Sequence, residues 1–324
     1  MRLAASLLLL FVFARQEVAW KTDWKATLKE AATSKKLVAL VFQSKDRKAC
    51  LRFQNETLAD AGVVAALGKY LCVRVNPEGT DDENRLWQEH GSPMPPMTIV
   101  FEPDGKQLVA VTPLNPKVYG PMLSNIVPAY FDKILPSRAA LAKDPRDPAA
   151  NRTLGEAYMV LDNSKESPKH FMIAAEALVA KGDKKGALDM LLSQLDQYYD
   201  KKWYSPARTC CSLIADLDPD NGTKKRPLAA WVLGMASCSE GRWAEAVDGL
   251  KAACEKYKDS DLLPQMMFSL ASAYYGAKDI DTAITVYETI MKDHPETEAA
   301  KLSEIQASKL REKRQKQSEP AEGK

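Results

Sequence analysis

Hydrophobic positions follow three patterns along the chain, and each predicts a different kind of structure. The first is an unbroken run, Leu3 to Ala14, with only Ser6 polar, behind the basic Arg2. As a helix it would span roughly 18 Å, well short of a hydrocarbon layer of about 30 Å. A basic start, an apolar middle and the exit Val12-Phe13-Ala14 predict a secretory signal peptide over residues 1–14, cut after Ala14. The protein is therefore expected to be exported, periplasmic or extracellular. No later stretch reaches 18 apolar residues, so no membrane span is expected.

The second pattern, over residues 20–137, alternates helical spacing with short continuous apolar runs. Asp23 is a candidate N-cap, Trp24, Leu28, Ala31 and Ala32 recur at helical spacing, and Lys35-Lys36 close the segment. Leu37-Val38-Ala39-Leu40-Val41-Phe42 has the composition of a central strand covered on both faces. A second strand run, Tyr70 to Val75, follows the helix-forming Val63 to Leu67, which is βαβ logic. Thr98 to Phe101 and Leu108 to Val111 flank Pro103-Asp104-Gly105-Lys106 and predict a hairpin, because Asp-Gly tolerates the positive φ of a tight turn. An amphipathic stretch from Lys117 to Leu135 closes this region. Pro136 to Pro148 breaks the pattern, and a linker is expected over 138–147.

The third pattern, over 148–315, is helical throughout and repeats. Leu270-Ala271, Tyr274, Gly276, Asp279, Ala283, Tyr287, Ile290 and Pro295 echo Leu233-Gly234, Gly241, Trp243, Ala246, Leu250 and Ala253, with Ala246 and Ala283 37 residues apart. These positions resemble the tetratricopeptide repeat, a helix–turn–helix unit of about 34 residues. The signature residues are Leu233, Gly234, Ala246, Leu270, Ala271, Tyr274, Ala283, Tyr287 and Pro295. Four helix pairs are expected, the first two irregular, with a last helix from Glu298 to Arg311 and a disordered tail over 316–324. Each pair buries its apolar face against the next, and the inner groove of such a stack receives peptides or partner helices. The aromatic residues Tyr198, Tyr199, Trp203, Tyr204, Trp243, Tyr274 and Tyr275 are expected to fill that stack.

Charge changes the picture by exclusion. Forty-five Lys and Arg against 43 Asp and Glu leave +2, too little to track a nucleic-acid backbone. Six Cys are too sparse for a disulfide scaffold, and three His leave few metal ligands. No Ser-His-Asp set, phosphate-binding glycine loop or metal cluster can be assembled, so neither a cofactor nor a metal is expected. Catalysis has no visible apparatus.

The order of elements over 20–137 resembles the thioredoxin fold of secreted thioredoxin-like domains. The matching pieces are Asp23-Trp24, Lys35-Lys36-Leu37-Val38, Val41-Phe42 and Pro96-Met97-Thr98-Ile99-Val100-Phe101, followed by Pro103-Asp104-Gly105-Lys106. The resemblance implies an α/β domain with a central mixed sheet flanked by helices, ahead of the all-α repeat domain. It places a cis proline at Pro96; a rigid trans loop is the other reading. It also places the Cys-x-x-Cys redox motif on Arg47-Lys48-Ala49-Cys50, so an arginine stands in the nucleophile's position and only the resolving cysteine remains. A register one residue longer puts the pair at Lys48 and Leu51, with no cysteine at all. Losing an intramolecular partner thiol forfeits roughly 7 to 11 kcal/mol of barrier lowering. Cys50 is open to three readings: a partly buried helix residue, a slow redox thiol, or a disulfide partner. Cys72 reads as core.

The expected function is therefore that of an exported, non-catalytic adaptor holding a protein or peptide partner in the repeat groove. The alternative is an extracytoplasmic thiol-disulfide oxidoreductase using Cys50 alone, which requires a depressed Cys50 pKa.

Overall fold

A computed structural model describes residues 17–112 and 115–318. The expected signal peptide lies outside the described residues, as does the tail beyond Ser318. Contacts divide the chain into two units. The first runs through Ala140 and takes in Glu156–Asn163; the second comprises Leu141–Gly155 and the chain from Ser164 onward.

In the first unit five strands form a mixed sheet in the order β1-β3-β2-β4-β5. They are β1 (Trp20–Lys21), β2 (Val38–Phe42), β3 (Leu71–Val75), β4 (Met97–Phe101) and β5 (Gln107–Val111). Strands β1, β3 and β2 run parallel, whereas β4 is antiparallel to β2 and to β5. Every residue of β2 is buried, as its continuous apolar run requires. On one face Val38, Leu40, Leu71, Val73, Ile99 and Phe101 form a core cluster with Ala31 and Leu86.

Helix α1 (Trp24–Ser34) starts where the Asp23 carboxylate accepts the Ala26 N–H at 2.9 Å and ends on Lys35 in the left-handed region, φ 54°. Helices α2 (Lys48–Arg52) and α3 (Ala61–Leu67), with a π-helical turn at Phe53–Thr57 between them, connect β2 to β3. Helix α4 (Asp81–Glu89) opens on a reciprocal capping box between Thr80 and Glu83. The β4–β5 hairpin turns at Gly105, φ 86°, a position that only glycine adopts without strain.

The chain does not break at Pro136. Helix α5 (Pro116–Pro128) passes through a π-helical turn at Ala129–Ile134 into α6 (Leu135–Leu141). A π turn displaces the hydrogen-bond ladder by one residue, which lets the helix continue past prolines that lack a donor. The buried Glu102, just past β4, anchors this extension. Its carboxylate takes both arms of the Arg138 guanidinium at 2.7 and 3.0 Å, and the Tyr130 hydroxyl donates to it at 3.1 Å. Arg138 thus belongs to a packed helix, where a linker was expected.

The second unit is helical. After α7 (Pro148–Val160), which the division of units cuts, come α8 (Glu166–Ala180), α9 (Lys184–Asp200), α10 (Tyr204–Leu217), α11 (Arg226–Ser239), α12 (Trp243–Lys256), α13 (Leu263–Gly276), α14 (Ile280–Asp293) and α15 (Glu298–Ser318). Each helix from α8 on packs against its neighbours in sequence, and α11, α13 and α15 also touch one another in series. Small residues make the close crossings. Ala246, Ala271, Ala273 and Ala283 have no exposed surface, and a Cβ on Gly234 would lie 2.4 Å from Leu250. Helix α15 runs seven residues beyond the expected end at Arg311, because polar contacts hold its last turns. Arg311 pairs with Glu288 at 2.5 Å, Arg314 with Asp281 at 2.7 Å, and Lys313 donates to the Tyr275 hydroxyl at 2.9 Å. Among the described residues no helix is long and apolar enough to cross a membrane.

Candidate functional site

Two places hold the residues that the sequence singles out: the tip of α2 and the face of the repeat helices. At the tip, Arg47 is the N-cap of α2 in extended backbone, φ −87° and ψ 126°, with its side chain exposed and 3.6 Å from Glu78. Lys48 and Ala49 are also exposed, whereas Cys50 is turned inward with 0% exposure. Its Sγ accepts the Ser44 N–H at 3.3 Å. Burial pushes the Cys50 thiol above its ordinary pKa, and this outweighs the opposing pull of the Ser44 N–H and the nearby Arg47. Since the thiolate is the nucleophile, the shift makes Cys50 less reactive. The depressed pKa that a single-thiol enzyme requires is not what this environment produces.

The Pro95-Pro96 bond is cis, both prolines are buried, and they lead into β4, whose Met97 pairs with Phe42 at the end of β2. All six cysteines are free thiols. Burial raises Cys72 and Cys211 to about 12 and Cys254 to about 11, and it raises Cys210 and Cys238 as well.

The repeat helices expose a groove of about 660 Å³ along α9, α11, α13 and α15. Trp231 lines it, its ring 5.0 Å from that of Tyr199 and its Nε1 donating to the Ser269 hydroxyl at 2.8 Å. That bond satisfies the indole N–H of a half-buried side chain. Tyr204, Trp243 and Phe268 add aromatic surface, and Leu302, 41% exposed, adds an aliphatic edge. Aromatic side chains bring large contact area at small entropic cost.

Sequence-selected aromatics therefore divide. Tyr198 is core, stacked at 6.0 Å on Trp203; Tyr199, Tyr204 and Trp243 line the groove; Tyr275 is 40% exposed. Among the repeat signature positions, Ala246, Leu270, Ala271, Ala283 and Tyr287 are buried at helix crossings, and the Tyr287 hydroxyl meets Ser272 at 3.1 Å. Gly234 is buried, Leu233 and Tyr274 are half-buried, and Pro295 is exposed just past α14.

Sequence reasoning missed Trp231, although it lies in the same helix as Leu233-Gly234, two residues ahead of the pair that was noticed. It also passed over Arg74, the one charged residue in strands β2 to β5, a pattern break that marks a special position.

A family model described as Thioredoxin-like matches residues 19–103, and one described as Tetratricopeptide repeat matches residues 265–297. No curated protein matches the chain. Among solved structures, a DsbH oxidoreductase is similar at 17% identity and TM-score 0.29, the match covering 34% of this chain and 83% of that one. Yeast Tom70 is similar at 17% identity and TM-score 0.36, over 61% of this chain and 48% of that one. A TPR protein of Thermus thermophilus is similar at 16% identity and TM-score 0.30, over 58% and 98%. With its five-stranded mixed sheet and its serially packed helix pairs, the chain carries a thioredoxin-like domain that has lost the dithiol motif, followed by tetratricopeptide-like repeats.

Proposed function

We propose that this protein is an exported, non-catalytic adaptor in which the repeat groove holds an apolar segment of a protein partner and the thioredoxin-like domain performs no thiol exchange. One contrast carries the reading: Cys50 has 0% exposure and a raised pKa, whereas the aromatic surface around Trp231 opens onto a groove of about 660 Å³. Tetratricopeptide repeats imply protein partners, and apolar helices laid in a groove are a common mode of such recognition. The N-terminal run Leu3 to Ala14 supports export.

A photo-crosslinking residue placed at Leu302 tests the groove in the native compartment. The expected result is a discrete adduct that survives reducing agent, persists with Cys50→Ser and is lost with Trp231→Ala. A light-independent adduct that reduction and Cys50→Ser remove, with no photo-adduct at Leu302, would instead support the single-thiol oxidoreductase.

A further inference from the structure

Arg74, Arg138 and Arg208 are partly withdrawn from solvent, and they are compensated differently. Arg138 grips Glu102 through two hydrogen bonds, and Arg208 pairs with Glu245 at 2.8 Å and Glu240 at 3.2 Å. Arg74 has no carboxylate partner among the described residues. Its guanidinium lies 4.3 Å over the Trp20 ring, and its buried Nε has no acceptor. Burial presses its pKa downward. A guanidinium does not escape by losing its proton, so its open nitrogens are left to water or to an anion.

The surroundings of Arg74 fit such an anion. Residues 72 and 74 share the sheet face opposite the Leu71–Val73–Val75 core, so Arg74 projects toward the helical segment that holds Gln54. There it lines a hollow of about 690 Å³ with Gln43, Ser44, Lys45 and Gln54, beyond the carboxyl ends of the parallel strands β1, β3 and β2. That is where open sheets with parallel strands place their ligand sites. The carboxylate in this hollow, Glu83, is already engaged: it accepts the N–H groups of Asn76 and Thr80 at 3.0 Å each and the Thr80 hydroxyl at 3.1 Å. Arg74 thus brings to this cavity a positive charge with no carboxylate partner among the described residues.

We propose that this hollow binds a small organic anion whose acidic oxygens take the Arg74 guanidinium. Malate and succinate supply carboxylates, and inorganic phosphate tests an acidic group of the other kind. The site is independent of the repeat groove, so it stands or falls separately from the adaptor reading.

Isothermal titration of the full chain, with a thermal melt of each variant, tests it. Malate and succinate are expected to bind saturably at about 1 mM or tighter. Arg74→Gln is expected to weaken malate at least about tenfold. Arg74→Lys keeps the charge without the planar fork, so it is expected to lose affinity with an unchanged melting temperature, which separates binding from folding. Saturable phosphate binding that depends on Arg74, without carboxylate binding, keeps the site and assigns it to phosphorylated compounds. If no probe binds saturably, or if affinity is the same in wild type and both Arg74 variants, the proposal is overturned. Glu17 lines the hollow on the other side of Arg74. If binding emerges only in Glu17→Gln, the anion partner is the chain's own carboxylate, and the proposal falls as well.

Discussion

The thioredoxin-like unit and the repeat unit dispose of their special side chains in opposite ways. In the first, the group with chemical potential is put away: Cys50 is sealed under the backbone of Ser44, and the surface at the helix tip is left to Arg47, Lys48 and Ala49. In the second, groups that would ordinarily be buried are left accessible, with Trp231 bonded to Ser269 and lining a groove. The difference teaches that the sheet unit turns its helix-tip thiol inward, while the repeats leave aromatic side chains open at a groove. The units also differ in what stabilises them. The sheet unit relies on a buried ion pair beneath its last helix, and the repeats rely on the close approach of small residues.

The largest effect is expected where that buried pair is broken. Glu102→Ala leaves the Arg138 guanidinium and the Tyr130 hydroxyl without their acceptor, and loss of one partner of a buried pair costs about 3 to 5 kcal/mol. Urea unfolding followed by circular dichroism reads it. A loss below about 1 kcal/mol would mean the pair behaves as a surface bridge.

A smaller effect is expected in the repeats. A Cβ on Gly276 would stand 2.3 Å from the Trp243 ring, a rigid group that must move as a whole. Gly276→Ala is expected to cost about 1 to 3 kcal/mol. Because Trp243 lines the groove, its fluorescence should shift in the same variant. An unchanged spectrum and stability would show that the crossing has slack.

The smallest effect concerns acid. His90 lies within an aromatic group, 5.0 Å from Phe101 and 5.8 Å from Trp24, and burial lowers its pKa despite Glu89 nearby. A histidine with a folded pKa below its unfolded value of about 6.5 binds fewer protons when folded. Stability is then retained above that pH and falls as pH drops through it toward the folded pKa. His90→Phe should flatten the acid limb of the stability curve below about pH 6.5 and leave the neutral plateau unchanged. An identical acid limb in both proteins would assign the slope to other groups.

Much of this frame is legible in the sequence, for physical reasons that also mark where legibility ends. Strands β2 and β3 and the β4–β5 hairpin are visible because continuous apolar runs flank a turn that demands Gly105. The edge strand β1 is not, since two residues, Trp20 and Lys21, carry no periodicity. Helix α6 is hidden by Pro136, because the π turn that accommodates it leaves no sequence pattern. The position of Arg47 at the tip of α2 follows from counting along the chain from Phe42. The inward turn of Cys50 does not, because it depends on packing. The repeats are legible through their alanines and glycines, which occupy crossings, but which aromatic residues line the groove is not. Tyr198 and Tyr199 are adjacent and identical in type, and only the stacked neighbours decide which is core and which is surface.

The central claim is that the protein holds its partners and does not exchange electrons with them, and insulin-disulfide reduction tests it most directly. With dithiothreitol as electron source, the wild type and Cys50→Ser are expected to precipitate insulin at the same rate as the buffer control. Reduction by the wild type at the rate of a dithiol thioredoxin, abolished by Cys50→Ser, would contradict the account.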